Sequence, residues 1–227
     1  MELCEAGIIK RLMIFIPPQY GKSELVSRSF PAWYLGRNPE KQIILASYGE
    51  TLAFNLATDA RNKVMDPAYR ALFGDLSPHE SPVAISRNSK SVREWRLNNG
   101  KGRMKSAGVG GGITGHPADL LIIDDPVKDM DEADSPTMQE KVINWFSSSA
   151  YTRLSPDGVI ILCMTRWNEK DLAGYLLSNQ SEEGEEWYVL RLPAMAESLE
   201  DMTSWARRNH VPPERMLSAD RLVSLVA

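Results

Sequence analysis

Residues 14–24 read IFIPPQYGKSE, an apolar run followed by two prolines and then by the triplet Gly21-Lys22-Ser23. The triplet matches the end of the phosphate-binding pattern G-x-x-x-x-G-K-[ST], in which backbone amides, a lysine and a hydroxyl hold the phosphates and Mg²⁺. The first glycine of that pattern is missing, because position 16 is an isoleucine. Alone, the stretch therefore predicts phosphate binding no better than an ordinary strand-to-helix turn with a capping serine.

The composition is that of an ordinary globular protein. The 227 residues, of which 43% are hydrophobic, suffice for one sizeable α/β domain. No run approaches the ~18–20 apolar residues that a membrane span requires. Two distant cysteines and three scattered histidines match neither a disulfide framework nor a zinc site, so we expect a reduced, cytoplasmic setting. A net charge of −4 gives no general bias toward nucleic acid, so such a role would need a local basic patch.

Short apolar runs alternate with helix-like stretches along the chain. Buried strands are predicted at residues 11–16, 42–47, 119–125, 159–164 and 187–192. Helices are predicted at residues 23–36, 51–65, 135–153 and 169–177. This alternation predicts an α/β fold with a mostly parallel central sheet that is flanked by helices on both faces.

Turn and capping residues set several of the predicted boundaries. Pro31 should kink the first helix because it lacks an N–H donor. The Asn98-Asn99-Gly100 sequence predicts the turn of a β-hairpin within residues 83–107, and Pro156-Asp157-Gly158 predicts a turn before the fourth strand. The predicted N-caps of the last two helices are Ser135 and Asn168.

The apolar stretch DLLIIDD at residues 119–125 ends in two carboxylates. At the carboxyl edge of an open α/β sheet, where ligands bind, Asp124 would hold Mg²⁺ directly or through water. Asp125 would orient or deprotonate the water that attacks a phosphate. Alone, two acids that end a strand before Pro126 are the simpler interpretation, but together with the lysine loop they favour nucleotide hydrolysis.

The donors to a bound phosphate would come from the second half of the loop. Pro17 and Pro18 have no N–H group. The predicted nucleotide-binding residues are therefore Gln19, Tyr20, Gly21, Lys22 and Ser23.

A further candidate stretch, MTRW at residues 164–167, follows the fourth predicted strand. Thr165 could contact the γ-phosphate side of the site and respond to its loss. Arg166 could pair with the acids or with the phosphate. A plain strand-to-helix loop with an interface tryptophan fits the same residues.

The predicted hairpin carries a local excess of positive charge. Only Glu94 opposes the seven basic residues, which are Arg87, Lys90, Arg93, Arg96, Lys101, Arg103 and Lys105. Such a patch could follow a DNA phosphate backbone, with Arg93, Arg96, Lys101 and Lys105 as candidate contacts. A hairpin that is simply solvated is an equal alternative. Arg103 could instead reach the nucleotide of a neighbouring subunit as an arginine finger.

Three ordered stretches resemble the ATPase domain of tailed-phage or prophage terminase large subunits, from about residue 8 to about residue 195. They are IKRLMIFIPPQYGKSELVSRSFPAWYLGRNP, GGGITGHPADLLIIDDPVKDMDEADSP and VIILCMTRWNEKDLAGYLL. The resemblance implies an additional-strand, RecA-like P-loop NTPase fold that uses ATP and Mg²⁺. It implies that Lys22 and Ser23 contact the phosphates and metal. It also implies that Asp124 is the Walker B metal ligand and Thr165 the coupling residue.

The resemblance also implies a function and its partners. The domain would hydrolyse ATP to translocate double-stranded DNA into a procapsid, in the cytoplasm of an infected bacterial host. The expected partners are DNA, the viral portal protein, a small terminase subunit and further copies of the chain in a ring on the portal, with no membrane.

Two residues depart from the pattern of the resembling family. Many terminases carry a glutamate as catalytic base where this chain has Asp125, which is one methylene shorter. Related loops often carry a charge-stabilising arginine where this chain has Gln19. Arg103, Arg166 or a partner's arginine would then have to supply that charge.

The domain organisation is predicted from composition and from the resemblance. Residues 1–195 would form the P-loop ATPase domain, and the polar residues 196–227 a linker or the start of a small subdomain. No acidic cluster after residue 195 matches a two-metal nuclease, so nuclease activity is not expected in this chain.

Two other functions fit the same sequence. A DNA helicase or translocase could use the same fold, although the TRW motif and the IDDPVKDMDEADS stretch count against it. A non-hydrolysing nucleotide-binding assembly module is compatible with Gln19 and Asp125. A purely structural role would require that nucleotide give no thermal stabilisation.

Overall fold

A seven-stranded sheet forms the centre of the fold in the computed structural model, which describes residues 1–73, 83–89, 91–179, 185–195, 198–212 and 215–217. The strands are β1 (Arg11–Phe15), β2 (Gln42–Ser47), β3 (Glu94–Arg96), β4 (Arg103–Gly108), β5 (Ala118–Asp124), β6 (Leu154–Met164) and β7 (Tyr188–Arg191). Their order across the sheet is β3-β4-β2-β5-β6-β1-β7. Every named pairing is parallel except that of β3 with β4.

Helices cover both faces of this sheet. The described α-helices are α1 (Glu2–Glu5), α2 (Phe30–Arg37), α3 (Glu50–Met65), α4 (Pro67–Phe73), α5 (Met130–Asp134), α6 (Pro136–Trp145), α7 (Leu172–Ser178) and α8 (Leu199–Arg208). Alternate residues of the central strands enter two separate apolar clusters, one packed with α2 and α3 and the other with α6 to α8. The strands are therefore buried on both sides, which explains why their sequences are continuous apolar runs.

The predicted strands and hairpin are present, with one correction. Strand β2 has the predicted bounds, and the turn at Asn98-Asn99-Gly100 joins β3 to β4 as predicted. The predicted turn at residues 156–158 is wrong, because β6 begins at Leu154 and continues through them. The pairing of β6 with β5 accommodates these three residues by a register shift between Ala118 and Leu120.

The helix after the lysine loop opens into a π-helical segment over Glu24–Ser29 before α2 begins. Pro31 explains this widening. It has no N–H, and in a regular α-helix its ring would clash with the carbonyl of Ser27, four residues earlier. The predicted kink is thus a widened turn.

One predicted helix start agrees with the structure and one differs. Ser135 caps α6 as predicted, with its side chain accepting from the N–H of Met138. Helix α7 starts later than predicted, and its cap is Asp171, whose Oδ1 accepts from the N–H of Gly174 at 2.8 Å. Asn168 is therefore not the cap. Asp171 caps the helix because Arg166 holds its carboxylate in place.

The described part of residues 196–227 packs against the same sheet as the rest of the chain. Helix α8 starts with a capping box formed by Ser198 and Asp201, a signal present in the sequence that our prediction missed. The ring of Trp205 meets that of Phe15 at 5.8 Å between centroids. Val211 is buried. A domain boundary near residue 195 stays a prediction.

Within the described residues, none of the helices combines the length and apolar character needed to span a bilayer.

Candidate nucleotide-binding site

The lysine of the loop meets the acids at the end of β5. Nζ of Lys22 lies 2.6 Å from Oδ2 of Asp125, and the lysine side chain is only 10% exposed. Strands β1 and β5 are both parallel to β6, which lies between them, so their carboxyl ends reach the same edge of the sheet. Two stretches about a hundred residues apart in the sequence thus form one site.

The loop has a backbone suited to an anion. Gln19 and Gly21 have φ values of +68° and +78°, and Tyr20 between them has an ordinary negative φ. Left-handed residues that alternate with ordinary ones turn successive N–H groups toward a common point, which is typical of phosphate sites. A Cβ added to Gly21 would meet no heavy atom within 4 Å, so the glycine serves the backbone conformation rather than a close contact.

Asp124 is a buried carboxylate with one free oxygen. The residue is 1% exposed, and its Oδ2 accepts a hydrogen bond from the hydroxyl of Ser27 at 2.7 Å. Burial raises the pKa of Asp124, while hydrogen bonds from Ser27 and Ser23 act in the opposite direction. Its Oδ1 is buried and has no hydrogen-bond partner among the described residues. A hard cation is the partner that such an oxygen suits, so Asp124 and Ser23 fit a Mg²⁺ site.

Asp125 is fixed by the main chain of both neighbouring strands. Its own N–H donates to the carbonyl of Cys163 at 2.9 Å, and its carbonyl accepts from the N–H of Tyr48 at 2.9 Å. Its Oδ1 accepts from the N–H of Thr165 at 3.0 Å. The residue has a φ of +45°, an uncommon conformation for a residue other than glycine. The site therefore presents this carboxylate in one defined orientation.

Thr165 lies between the two halves of the site. Besides the contact of its N–H with Asp125, its hydroxyl donates to the carbonyl of Ile16 at 3.4 Å. A cavity of about 370 Å³ opens beside it, between the loop prolines and the region after β7. The residue thus contacts both the start of the lysine loop and the end of β5.

Arg166 belongs to a cluster beside the site. Its Nε donates to Oδ2 of Asp171 at 2.7 Å, and its Nη1 donates to Oδ1 of Asn209 at 3.3 Å. The guanidinium also lies over the ring of Phe15, 5.2 Å from the centroid. These contacts join the end of β6 to the start of α7 and the end of α8. A finger role for Arg166 stays a prediction.

Arg103 lies at the opposite edge of the sheet. It pairs in register with Gln42 at the start of β2 and β4, and its Nε donates to Oε1 of that residue at 2.5 Å. The site lies at the other end of these strands, about 16 Å further along the chain direction. Arg103 therefore does not reach the site of its own chain. A role at a neighbouring subunit stays a prediction.

The basic hairpin is more nearly neutral than its sequence suggests. Each of three candidate DNA contacts has an acidic partner, two of them from outside the hairpin. These ion pairs are Arg93–Glu50 at 3.5 Å, Arg96–Glu94 at 2.7 Å and Lys101–Glu40 at 2.7 Å. All three basic side chains are more than half exposed, and Lys90 lies outside the described residues. DNA contact by these residues and by Lys105 stays a prediction.

Sequence reasoning missed one residue of the site, Ser27, and one residue of the cluster beside it, Asp171. Ser27 could have been suspected, because it lies four residues after Ser23 and therefore on the same face of the helix. For Asp171, the sequence indicates no more than a helix-capping residue, and it does not indicate the pairing with Arg166. Both are buried polar groups, which are seldom buried without a specific partner.

Comparisons with known proteins identify the family and the fold of this chain. The family model described as "Terminase large subunit, T4likevirus-type, N-terminal" matches residues 13–215. Among solved structures, the crystal structure of the HK97 bacteriophage large terminase is similar, with a TM-score of 0.50 and 16% sequence identity. The match covers 96% of this chain, which spans 43% of that terminase chain. No curated protein has a matching sequence.

These matches confirm two of the sequence predictions. The similarity to the HK97 terminase supports the α/β, RecA-like fold with its mostly parallel sheet. The family model spans most of the residues and includes both the lysine loop and the acids of β5. The chain therefore belongs to the terminase large subunit family, within its N-terminal region.

Proposed function

We propose that this chain is the ATP-hydrolysing motor domain of a DNA-packaging terminase, which couples hydrolysis to the translocation of double-stranded DNA into a procapsid. The observation that carries the proposal is the contact of 2.6 Å between Nζ of Lys22 and Oδ2 of Asp125. A phosphate-binding lysine and a candidate base that meet at one sheet edge are what phosphoryl transfer to water requires.

Each side of the site has a distinct role in this proposal. The amides of residues 19–23 would hold the phosphates, and Lys22 would move from Asp125 to the outer phosphate oxygens. Asp124 and Ser23 would hold Mg²⁺, which when bound neutralises charge on the phosphate oxygens. Asp125 would then orient the attacking water and accept its proton, held in place by the N–H of Thr165.

Thr165 would pass a change at the phosphates to other parts of the domain. It contacts the loop carbonyl of Ile16 on one side and the carboxylate of Asp125 on the other. The next residue, Arg166, contacts Asn209 at the end of α8. This chain of contacts supports a coupling role for residues 165 and 166.

The partners belong to the same proposal. They are double-stranded DNA, the portal protein, a small terminase subunit and further copies of the chain in a ring, in the cytoplasm of an infected bacterial cell. A neighbouring copy would supply the charge that Gln19 lacks.

Phosphate release tests the proposal. We expect Mg²⁺-dependent release by the wild type, a rise when double-stranded DNA is added, and a loss of at least about 100-fold in both Lys22→Ala and Asp125→Asn. Asp131→Asn, an exposed acid outside the site, serves as the matched control. Equal background rates in all four proteins would contradict hydrolysis.

A nucleotide-binding assembly module is the second candidate. The observation that favours it is that both carboxylate oxygens of Asp125 already have partners, Lys22 and the N–H of Thr165. In that case Mg-ATP would raise the melting temperature of the wild type without measurable phosphate release, even with DNA present.

A further inference from the structure

Ser27 makes a buried contact that the nucleotide-site motifs do not include. It lies in the π-helical segment that follows the lysine loop, and it is 0% exposed. Its hydroxyl donates to Oδ2 of Asp124 at 2.7 Å. The two residues are 97 positions apart, so the contact joins the helix after the loop to the end of β5.

The widened helix places this hydroxyl. Pro31 cannot follow a regular α-helical turn, because its ring would meet the carbonyl of Ser27. The backbone at Ser27 therefore takes its position from the wider π-helical turn. Ser23, one turn earlier, lies near the same carboxylate and acts to lower the pKa of Asp124.

The contact leaves the two oxygens of Asp124 in different situations. Oδ2 has a hydroxyl donor, whereas Oδ1 is buried and has no partner within the described ranges. A carboxylate held at one oxygen cannot rotate freely, so the other oxygen is kept in one direction. Hydrogen-bond partners of metal ligands fix them in this way, and their loss typically lowers metal affinity 10–100-fold.

We propose that Ser27 is a positioning residue for the metal ligand Asp124. By holding Oδ2 it directs Oδ1 toward the Mg²⁺ of the bound nucleotide, either directly or through a water ligand. This inference rests on the proposed nucleotide function and adds to it a residue that controls metal affinity without touching the metal.

The test compares Ser27→Ala with Ser29→Ala in the full chain. Both changes remove a serine hydroxyl from the same π-helical segment, but that of Ser29 donates only to Glu24, outside the site. Binding of Mn²⁺ to the protein with ADP is measured by electron paramagnetic resonance. We expect the dissociation constant of Mn²⁺ to rise at least about tenfold in Ser27→Ala and to stay unchanged in Ser29→Ala. Binding of ADP without metal should stay within about twofold of the wild type in both.

The alternative is that Ser27 serves only as a hydrogen-bond donor to a buried carboxylate. In that case Ser27→Ala would lower the melting temperature but leave the Mn²⁺ dissociation constant as in the wild type, and the proposal would be overturned. If the alanine variant does not fold, Ser27→Cys carries the test. A thiol of similar size donates only weakly, so the same rise in the dissociation constant is expected.

The measurement on the wild type separates this inference from the proposed function. If the wild type binds no Mn²⁺ with ADP, the proposed nucleotide function fails and the inference with it. If the wild type binds both and Ser27→Ala binds Mn²⁺ equally well, only the role of Ser27 is refuted.

Discussion

The backbone N–H of Thr165 donates to Oδ1 of Asp125 at 3.0 Å, and so the residue after β6 holds the side chain of the residue after β5. The donor is the main chain, so the contact survives a change of side chain at position 165. The orientation of the candidate base thus depends on the register of two parallel strands, which is fixed by their ladder of hydrogen bonds.

Replacing the buried carboxylate of Asp124 should separate stability from function. Asp124→Asn removes a negative charge from a site that is 1% exposed, while its side-chain oxygen can still accept from Ser27. We expect the melting temperature without nucleotide to rise by about 2–4 °C, since about 1 kcal/mol of desolvation cost disappears. The stabilisation by Mg-ADP should be lost. A variant that melts lower without nucleotide and still responds to Mg-ADP would contradict both expectations.

Breaking the pair between Arg166 and Asp171 should destabilise the fold. Arg166→Ala would leave the carboxylate of Asp171, which is 2% exposed, without its cation, at a cost of about 3 kcal/mol in urea unfolding. Adding Asp171→Asn should recover part of this loss. Arg37→Ala, which removes an exposed arginine paired with Glu5, is the control. If Arg166→Ala reduces phosphate release but unfolds like the wild type, a finger role is favoured instead.

The pH dependence of stability should contain a contribution from Glu94. Burial alone would raise the pKa of this residue, but the hydrogen bond from Arg96 and the charges of His116 and Arg103 hold it below its ordinary value. A lowered pKa in the folded state adds stability above the unfolded pKa of about 4.3, and this stability is lost as the pH falls through the folded pKa.

Glu94→Gln should therefore cost about 1 kcal/mol at pH 7 and progressively less as the pH falls below about 4. Urea unfolding at several pH values measures the difference. Glu50→Gln, whose carboxylate is mostly exposed and has one ion pair at 3.5 Å, should change stability little at any pH. A constant difference between wild type and Glu94→Gln across this range would refute the assignment.

Adding a methyl group to the loop glycine should cost stability through the backbone alone. Gly21 has a φ of +78°, and a Cβ added there would meet no heavy atom within 4 Å, so Gly21→Ala should lose about 1–2 kcal/mol and weaken ADP binding. Gly49→Ala is the matched control, because its φ of −136° suits any residue and its added Cβ also meets nothing within 4 Å. Equal melting temperatures for the two variants would show that the loop does not hold its left-handed conformation.

Much of the sheet could be predicted from local sequence because its strands are short apolar runs between breakers. The run at residues 42–47 lies between Pro39 and Gly49, and it forms β2 with the predicted bounds. The Pro-Asp-Gly sequence at 156–158 led to a wrong prediction of a turn because its local composition does not match its structure. It has the composition of a turn but lies in the outer part of a long strand, where a register shift accommodates it.

The parts of the site that escaped prediction depend on contacts between distant residues. The hydroxyl of Ser27 meets Asp124 only because a proline widens the helix and a parallel sheet brings β5 beside it. The acids that neutralise Arg93 and Lys101 come from Glu50 and Glu40, which lie far away in the sequence. Local charge counting therefore could not find them.

The outer edge of β7 is covered by the chain itself. Val189 forms a parallel bridge with Met216, and its carbonyl accepts from the N–H of Leu217 at 2.9 Å. A strand edge without such cover can pair with a second chain and start aggregation. A protein cut before Arg215 would lose this protection, so light scattering should detect self-association that the intact chain resists.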